Sequence, residues 1–188
     1  MAIPQFETTR LCVRPFRISD GSDVERLAGA PEVAATTLHI PHPYPAGLGA
    51  KWIATHGEQF AKQEMATWAI ELRSSGELVG AFSARLHQTD RRSELGYWIG
   101  VPFWGHGYTA EAGIVIRDYL FHEWGLQRIY AQHFVGNPAS GRVMQKLGMQ
   151  YEGCLRQHIR KGSQFYDIAI YGMVRTEWTG LQAETAAI

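Results

Sequence analysis

Residues 94–112 constrain this chain more than any other stretch: Glu94-Leu95-Gly96-Tyr97-Trp98-Ile99-Gly100-Val101-Pro102-Phe103-Trp104-Gly105-His106-Gly107-Tyr108-Thr109-Ala110-Glu111-Ala112. The first six residues read as a strand. A Gly/Pro-rich turn breaks it, and Gly105 and Gly107 lead into a run whose Ala112, Val115, Ile116, Tyr119 and Leu120 fall on one helical face. Strand, glycine loop and helix in that order make an anion trap. The glycines allow backbone angles that turn successive N–H groups into one concavity, and the helix behind them adds the partial positive charge of its N-terminus. The guest such a loop expects is a phosphate or pyrophosphate.

Several families share the device. The Walker pattern is excluded, because no Gly-Lys-Ser/Thr follows the glycines. Gly105-x-Gly107-x-x-Ala110 meets the loose dinucleotide fingerprint, which asks for an acidic residue roughly 20 residues on at the end of the next strand. That strand, Arg128-Ile129-Tyr130-Ala131-Gln132-His133-Phe134-Val135, ends without one. A tight turn with no ligand is the bland alternative.

A chain of 188 residues is expected to be one domain with a core of its own. Eighteen basic and eighteen acidic side chains cancel, so bulk charge makes no case for nucleic acid or an anionic membrane, and a ligand phosphate must be met locally. Cys12 and Cys154 lie far apart with no metal-ligand spacing, which fits a reducing compartment, and each is expected as a small buried apolar residue. Met1 to Glu7 has neither a basic nor an apolar leader region, and no later run approaches membrane-spanning length. The expectation is a cytoplasmic protein with no membrane and no nucleic-acid partner.

In chain order, residues 8–16 alternate as a strand closed by Pro15, and Asp20 reads as the N-cap of a first helix buried through Val24, Leu27 and Ala28. The loop His39-Ile40-Pro41-His42-Pro43-Tyr44-Pro45 cannot be regular structure, and its two histidines have no third metal ligand near them. Trp52, Ile53, His56 and Phe60 mark a second helix. Residues 67–72 and 78–86 form a hairpin through Ser74-Ser75-Gly76. After strand 128–135, Asn137 caps a helix with Pro138 at its first position, and Gly148 ends it. Strands 150–159 and 164–174 finish a single α+β domain.

This order, with a glycine loop after the fourth strand, resembles the GNAT superfamily of acetyl-CoA-dependent N-acetyltransferases, and within it the ribosomal-protein alanine acetyltransferase branch. The residues that carry the resemblance span nearly the whole chain: Thr9-Arg10-Leu11, Arg14-Pro15 and Asp20; Pro43-Tyr44 before Trp52-Ile53; Gly76-Glu77-Leu78-Val79-Gly80; Glu94 to Ile99; Trp104 to Tyr108 with Glu111-Ala112; Asn137 to Ser140; Lys146-Leu147-Gly148; and Glu152 to Gln157. It implies a mixed, mostly antiparallel seven-stranded sheet flanked by four helices and splayed between the fourth and fifth strands. It implies acetyl-CoA as co-substrate, no metal, and an amine acceptor, either a protein N-terminus or a small amine. A homodimer is left open by the apolar final strand.

The resemblance also implies roles. Backbone groups of Ile99 and Val101 would pair with the pantetheine arm, amides across Trp104, Gly105, His106, Gly107, Tyr108 and Thr109 would hold the pyrophosphate, and Asn137 with Ser140 would meet the cofactor at the helix mouth. The family usually carries Gln or Arg at Trp104 and Gly or Ala at Thr109; a loop that binds through main chain tolerates both departures. Many relatives place a general-acid tyrosine where this chain has Met144, which moves that role to Ser140. Ribosomal-protein relatives place a glutamate where this chain has Ile159, so the base is sought elsewhere. Glu94 is the leading candidate and His158 its competitor, while Glu94 paired with Arg91 or Arg92 is the bland reading. A non-catalytic acyl-CoA-binding or sensing module is the alternative function, since a decayed site would also lack that tyrosine and glutamate.

Overall fold

The computed structural model describes residues 2–180. Among them eight strands form one sheet: β1 Phe6–Glu7, β2 Leu11–Pro15, β3 Met65–Leu72, β4 Leu78–His87, β5 Arg92–Ile99, β6 Arg128–Phe134, β7 Gln150–Lys161 and β8 Gln164–Val174. They lie in the order β1-β2-β3-β4-β5-β6-β8-β7, antiparallel throughout except for the parallel pair β5–β6. The eighth strand corrects the expected seven: β1 is two residues long, too short to show a period of two.

Period-2 alternation gives the sheet two packed faces. On one, Trp68, Ile70, Phe82 and Leu95 are buried against Ile116 and Leu120 of α5 (Tyr108–His122) and Met144 and Leu147 of α6 (Pro138–Lys146). On the other, Ala69 and Leu78 pack with Val24, Leu27 and Ala28 of α1 (Gly21–Ala28) and Ile53 of α3 (Leu48–Ala54), with Trp98, Trp52 and Tyr44 against them. Burying a side chain of this size stabilises by roughly 1.5–3 kcal/mol, so the two layers fix the sheet from both sides.

Among the described residues six α-helices stand where four were expected, because the first two are broken. The first stops at Gly29 and restarts as α2 (Pro31–Thr36) with proline at its first position, and the second pauses at Thr55 before α4 (His56–Ala61). Asp20 sits at the cap position of α1, yet its side chain caps nothing there. Arg14 takes that carboxylate at 2.8 and 3.0 Å, the Arg17 N–H adds a third bond at 2.7 Å, and Arg14 also pairs with Glu71. Burial alone would raise the Asp20 carboxyl; Arg14 and Arg17 outweigh it and hold it below the usual range. Cys12 is half-buried and Cys154 exposed, which corrects their reading as buried residues.

One further feature positions the site. β5 pairs with β6 only from Arg92↔Arg128 to Leu95↔Ala131, while β4 accompanies β5 as far as Ile99. From Gly96 onward β5 and β6 diverge, which is the expected splay.

Candidate active site

At the end of β5 the backbone makes a 3-10 turn, Val101–Phe103, and then the glycine loop. Gly105 and Gly107 both have φ of 81°, a conformation that costs glycine nothing and other residues strain. Gly107 caps α5 with no side chain occupying the helix N-terminus, so the first-turn N–H groups lack intrahelical partners. A Cβ at Gly105 would meet no atom within 4 Å, and one at Gly107 only Arg10 Nη2 at 3.7 Å, leaving the loop's outer side open.

Arg10 is a member that sequence reasoning missed. Its guanidinium bonds the His106 carbonyl at 3.0 Å, lies 4.7 Å from the Tyr108 ring centroid, and pairs with Glu111 at 2.6 Å. Glu111 would otherwise place an unpaired negative charge in the first turn of α5. Burial raises its carboxyl, but bonds from the Thr8 hydroxyl and from Arg10 hold it below the usual range, so the pair is neutral and the helix dipole is left uncompensated.

The splayed half of β5 supplies main-chain groups. Gly100 N–H donates to Val79 at 2.9 Å, and antiparallel alternation therefore turns the N–H and C=O of Ile99 and Tyr97 away from β4, towards the gap. Two details differ from expectation. Val101 lies in the 3-10 turn and not on the strand, with its carbonyl accepting from Trp104 N–H at 3.2 Å. The Ile99 carbonyl accepts from the Trp104 indole at 2.7 Å, which leaves the Ile99 N–H as its group directed into the gap.

Across the gap stands the first turn of α6. Asn137 caps it, accepting from Ser140 N–H at 3.4 Å, as its position before Pro138 predicts. The Ser140 hydroxyl lies 2.9 Å from the Tyr97 hydroxyl, which also donates to the Ser140 carbonyl at 3.0 Å. Tyr97 is stacked on Phe82 with centroids 5.4 Å apart, and burial pushes its hydroxyl pKa up. Period-2 alternation places Tyr97 with Leu95 and Ile99, the face that meets α6, but nothing in the sequence pairs it with Ser140. Met144, where many relatives have tyrosine, is 1% exposed in the core.

Glu94 faces the other side of the sheet, with Gly96 and Trp98. Its Oε1 accepts from Gln132 at 2.8 Å and its Oε2 from the Tyr130 hydroxyl at 3.5 Å, and Tyr130 continues to His87 Nε2 at 3.2 Å. Neither arginine of the bland reading reaches it: Arg92 pairs with Asp90 and Arg91 bonds the Gly125 carbonyl. His158 is exposed in an irregular stretch of β7 between Leu155 and Ile159, with β6 and β8 between it and β5. On this face the Lys161 ammonium bonds the carbonyls of Ala34 and Thr37, drawing the β7–β8 hairpin onto the end of α2. Tyr44 and Trp52 are packed into the core layer and Tyr166 against Phe134 at 4.8 Å. Among the described residues no three His, Cys, Asp or Glu side chains gather to hold a metal ion, and no helix is long and apolar enough to cross a membrane.

The site is thus an uncapped helix N-terminus reached through a glycine loop from the end of a strand whose neighbour has peeled away. Residues 10–150 match the model of the acetyltransferase (GNAT) domain, and the chain belongs to that family. It is 36% identical over 124 residues to the uncharacterized N-acetyltransferase YoaA of Bacillus subtilis, spanning 65% of this chain and 70% of YoaA. To the ribosomal protein uS5-alanine N-acetyltransferase of Escherichia coli it is 27% identical over 143 residues, 73% of this chain and 72% of that enzyme. The fold matches the microcin C7 self-immunity acetyltransferase MccE, solved with acetyl-CoA and AMP, with a TM-score of 0.79 at 17% identity, over 89% of this chain and 93% of that one. The protein is an acetyl-CoA-dependent N-acetyltransferase.

Proposed function

We propose that the enzyme transfers acetyl from acetyl-CoA to a primary amine, a protein N-terminal amine or a small amine, by direct attack on the thioester, with Glu94 as base and Ser140 at the leaving thiol. The carrying observation is the arrangement along β5, with Glu94 on one sheet face two residues before the gap opens and Ser140 beside Tyr97 on the other. Two reagents approaching from opposite faces then find a proton acceptor on the amine's side and a hydroxyl on the thiol's side. The similarity to a uS5-alanine acetyltransferase supports the N-terminal amine, while Ile159, in place of the branch glutamate, leaves the small amine open.

The amides of residues 105–109, with Arg10 behind them, hold the pyrophosphate. Ile99 N–H points where charge develops on the thioester oxygen. Bound acetyl-CoA supplies the activated acetyl group, so no covalent enzyme intermediate is required. Glu94 takes the proton of an amine whose pKa is roughly 8–10, directly or through water. Glu94 lies five residues from Ile99, about 16 Å along the strand, so the amine must reach down the sheet face or a chain of waters must relay. The test is thiol release from acetyl-CoA against a panel of N-terminal peptides and small amines. Turnover on one class identifies the acceptor; acetyl-CoA binding with turnover on no amine would overturn this reading in favour of a sensing module.

A further inference from the structure

The hydroxyl of Tyr97, on the splayed half of β5, bridges to α6, and the contact is made to Ser140 twice. Tyr97 has a single proton and two acceptors on the same residue, the carbonyl at 3.0 Å and Oγ at 2.9 Å. With the tyrosine proton on the carbonyl, Ser140 spends its own proton on the tyrosine oxygen. When the tyrosine hydroxyl rotates to Oγ, the serine proton is released to point elsewhere, and the serine, now accepting a bond, becomes the stronger donor. Only a hydroxyl torsion separates the two arrangements. The ring does not move, since Phe82 holds it by stacking.

We propose that Tyr97 is a positioning residue: it orients the Ser140 hydroxyl towards the sulfur of coenzyme A and, by spanning the gap, holds the first turn of α6 at the distance the thiol requires. This rests on Ser140 standing at the leaving thiol. No proton leaves Tyr97. Burial pushes its pKa up, which keeps the hydroxyl protonated at neutral pH and suits it to orienting and not to donating outright. Its effect travels through one hydrogen bond, from Ser140 to the developing thiolate.

The test needs no acceptor. CoA carrying its free thiol is bound to wild type, Tyr97→Phe, Ser140→Ala and the double variant, and the thiol pKa is read from thiolate ultraviolet absorbance against a desulfo-CoA blank. A bond from Ser140 to the thiolate should hold the bound thiol below the value measured for CoA free in the same buffer. Tyr97→Phe keeps the stacked ring and should raise the thiol pKa by about 0.7, the equivalent of one hydrogen bond. Ser140→Ala should raise it at least as far, and the double variant no further than Ser140→Ala. Once an acceptor is in hand, the same change in Tyr97→Phe should appear as a roughly 5-fold loss of kcat with the KM for acetyl-CoA kept. A Tyr97→Phe variant that melts lower but leaves the thiol pKa at the wild-type value would reduce Tyr97 to a structural latch and overturn the proposal, as would additive effects in the double variant. If Ser140→Ala alone leaves the thiol unmoved, or CoA fails to bind, both this proposal and the assignment of Ser140 fall. If the thiol responds as stated while no amine turns over, only the acceptor reading fails.

Discussion

Glu94 directs both carboxylate oxygens sideways onto β6, to Gln132 and Tyr130, so its orientation is set by a neighbouring strand and not by a surface arginine. Glu94→Gln keeps shape and can still bond Gln132 but loses basicity, and turnover should fall roughly 100-fold, in the range general bases contribute. His158→Gln should leave turnover near wild type, since two strands separate β7 from β5. The opposite pair of results across the pH range would move the base to His158. The face that Glu94 occupies was legible in the sequence, because alternation along one strand is local information. Its partners were not: β5 and β6 are parallel and joined through a whole helix, so no turn announces that Glu94 lies opposite Tyr130. The same holds for Tyr97 and Ser140, which are 43 positions apart and meet only because the strands diverge.

The glycine loop was the element most completely legible, since strand, positive-φ glycines and helix follow one another within a few residues and each leaves its own local mark. The broken helices were less so: Gly29 and Pro31 do mark the break, but the apolar spacing of Val24, Leu27, Ala28, Val33 and Ala34 runs across it and reads as one helix. The loop's role is testable with its strain accounted for. Valine at φ of 81° costs stability wherever it is placed, so Gly107→Val is compared with Gly76→Val, a hairpin glycine at φ of 73° whose added Cβ would meet no atom within 4 Å, where one at Gly107 meets only Arg10 Nη2 at 3.7 Å. Both should lower the melting temperature of the free protein, by an amount equivalent to about 1–3 kcal/mol. Acetyl-CoA should still raise the melting temperature of Gly76→Val, following the usual dependence on ligand concentration over Kd, and should no longer raise that of Gly107→Val. Equal ligand stabilisation in the two variants would detach the loop from the pyrophosphate.

At the scale of the molecule, the layer of α1, α3 and α4 is fastened to the sheet partly through a histidine that cannot charge in place. His56 is 4% exposed, packs edge-on to Trp52 at 4.4 Å and to Phe16 at 5.4 Å, and neither ring nitrogen has a hydrogen-bond partner among the described residues. Burial depresses its pKa to about 4, against roughly 6.5 in the unfolded chain. The unfolded chain therefore binds a proton between these values that the folded protein refuses. Stability is complete above about pH 6.5 and falls as pH drops towards 4, by roughly 3 kcal/mol for this group alone. Asp20 and Glu111 act later in the descent: their folded pKa values are lowered, so their contribution is present above the unfolded carboxylate range and is lost only as pH falls through and below it. Urea midpoints measured from pH 7 to pH 4 should thus decline in the wild type before the carboxylates titrate. His56→Leu removes the titrating ring, keeps the site apolar and should flatten that first decline, whatever it costs in absolute stability at pH 7. Parallel curves for the two proteins across this window would mean that His56 gains its proton without unfolding, and that this layer of helices opens to water more readily than its packing implies.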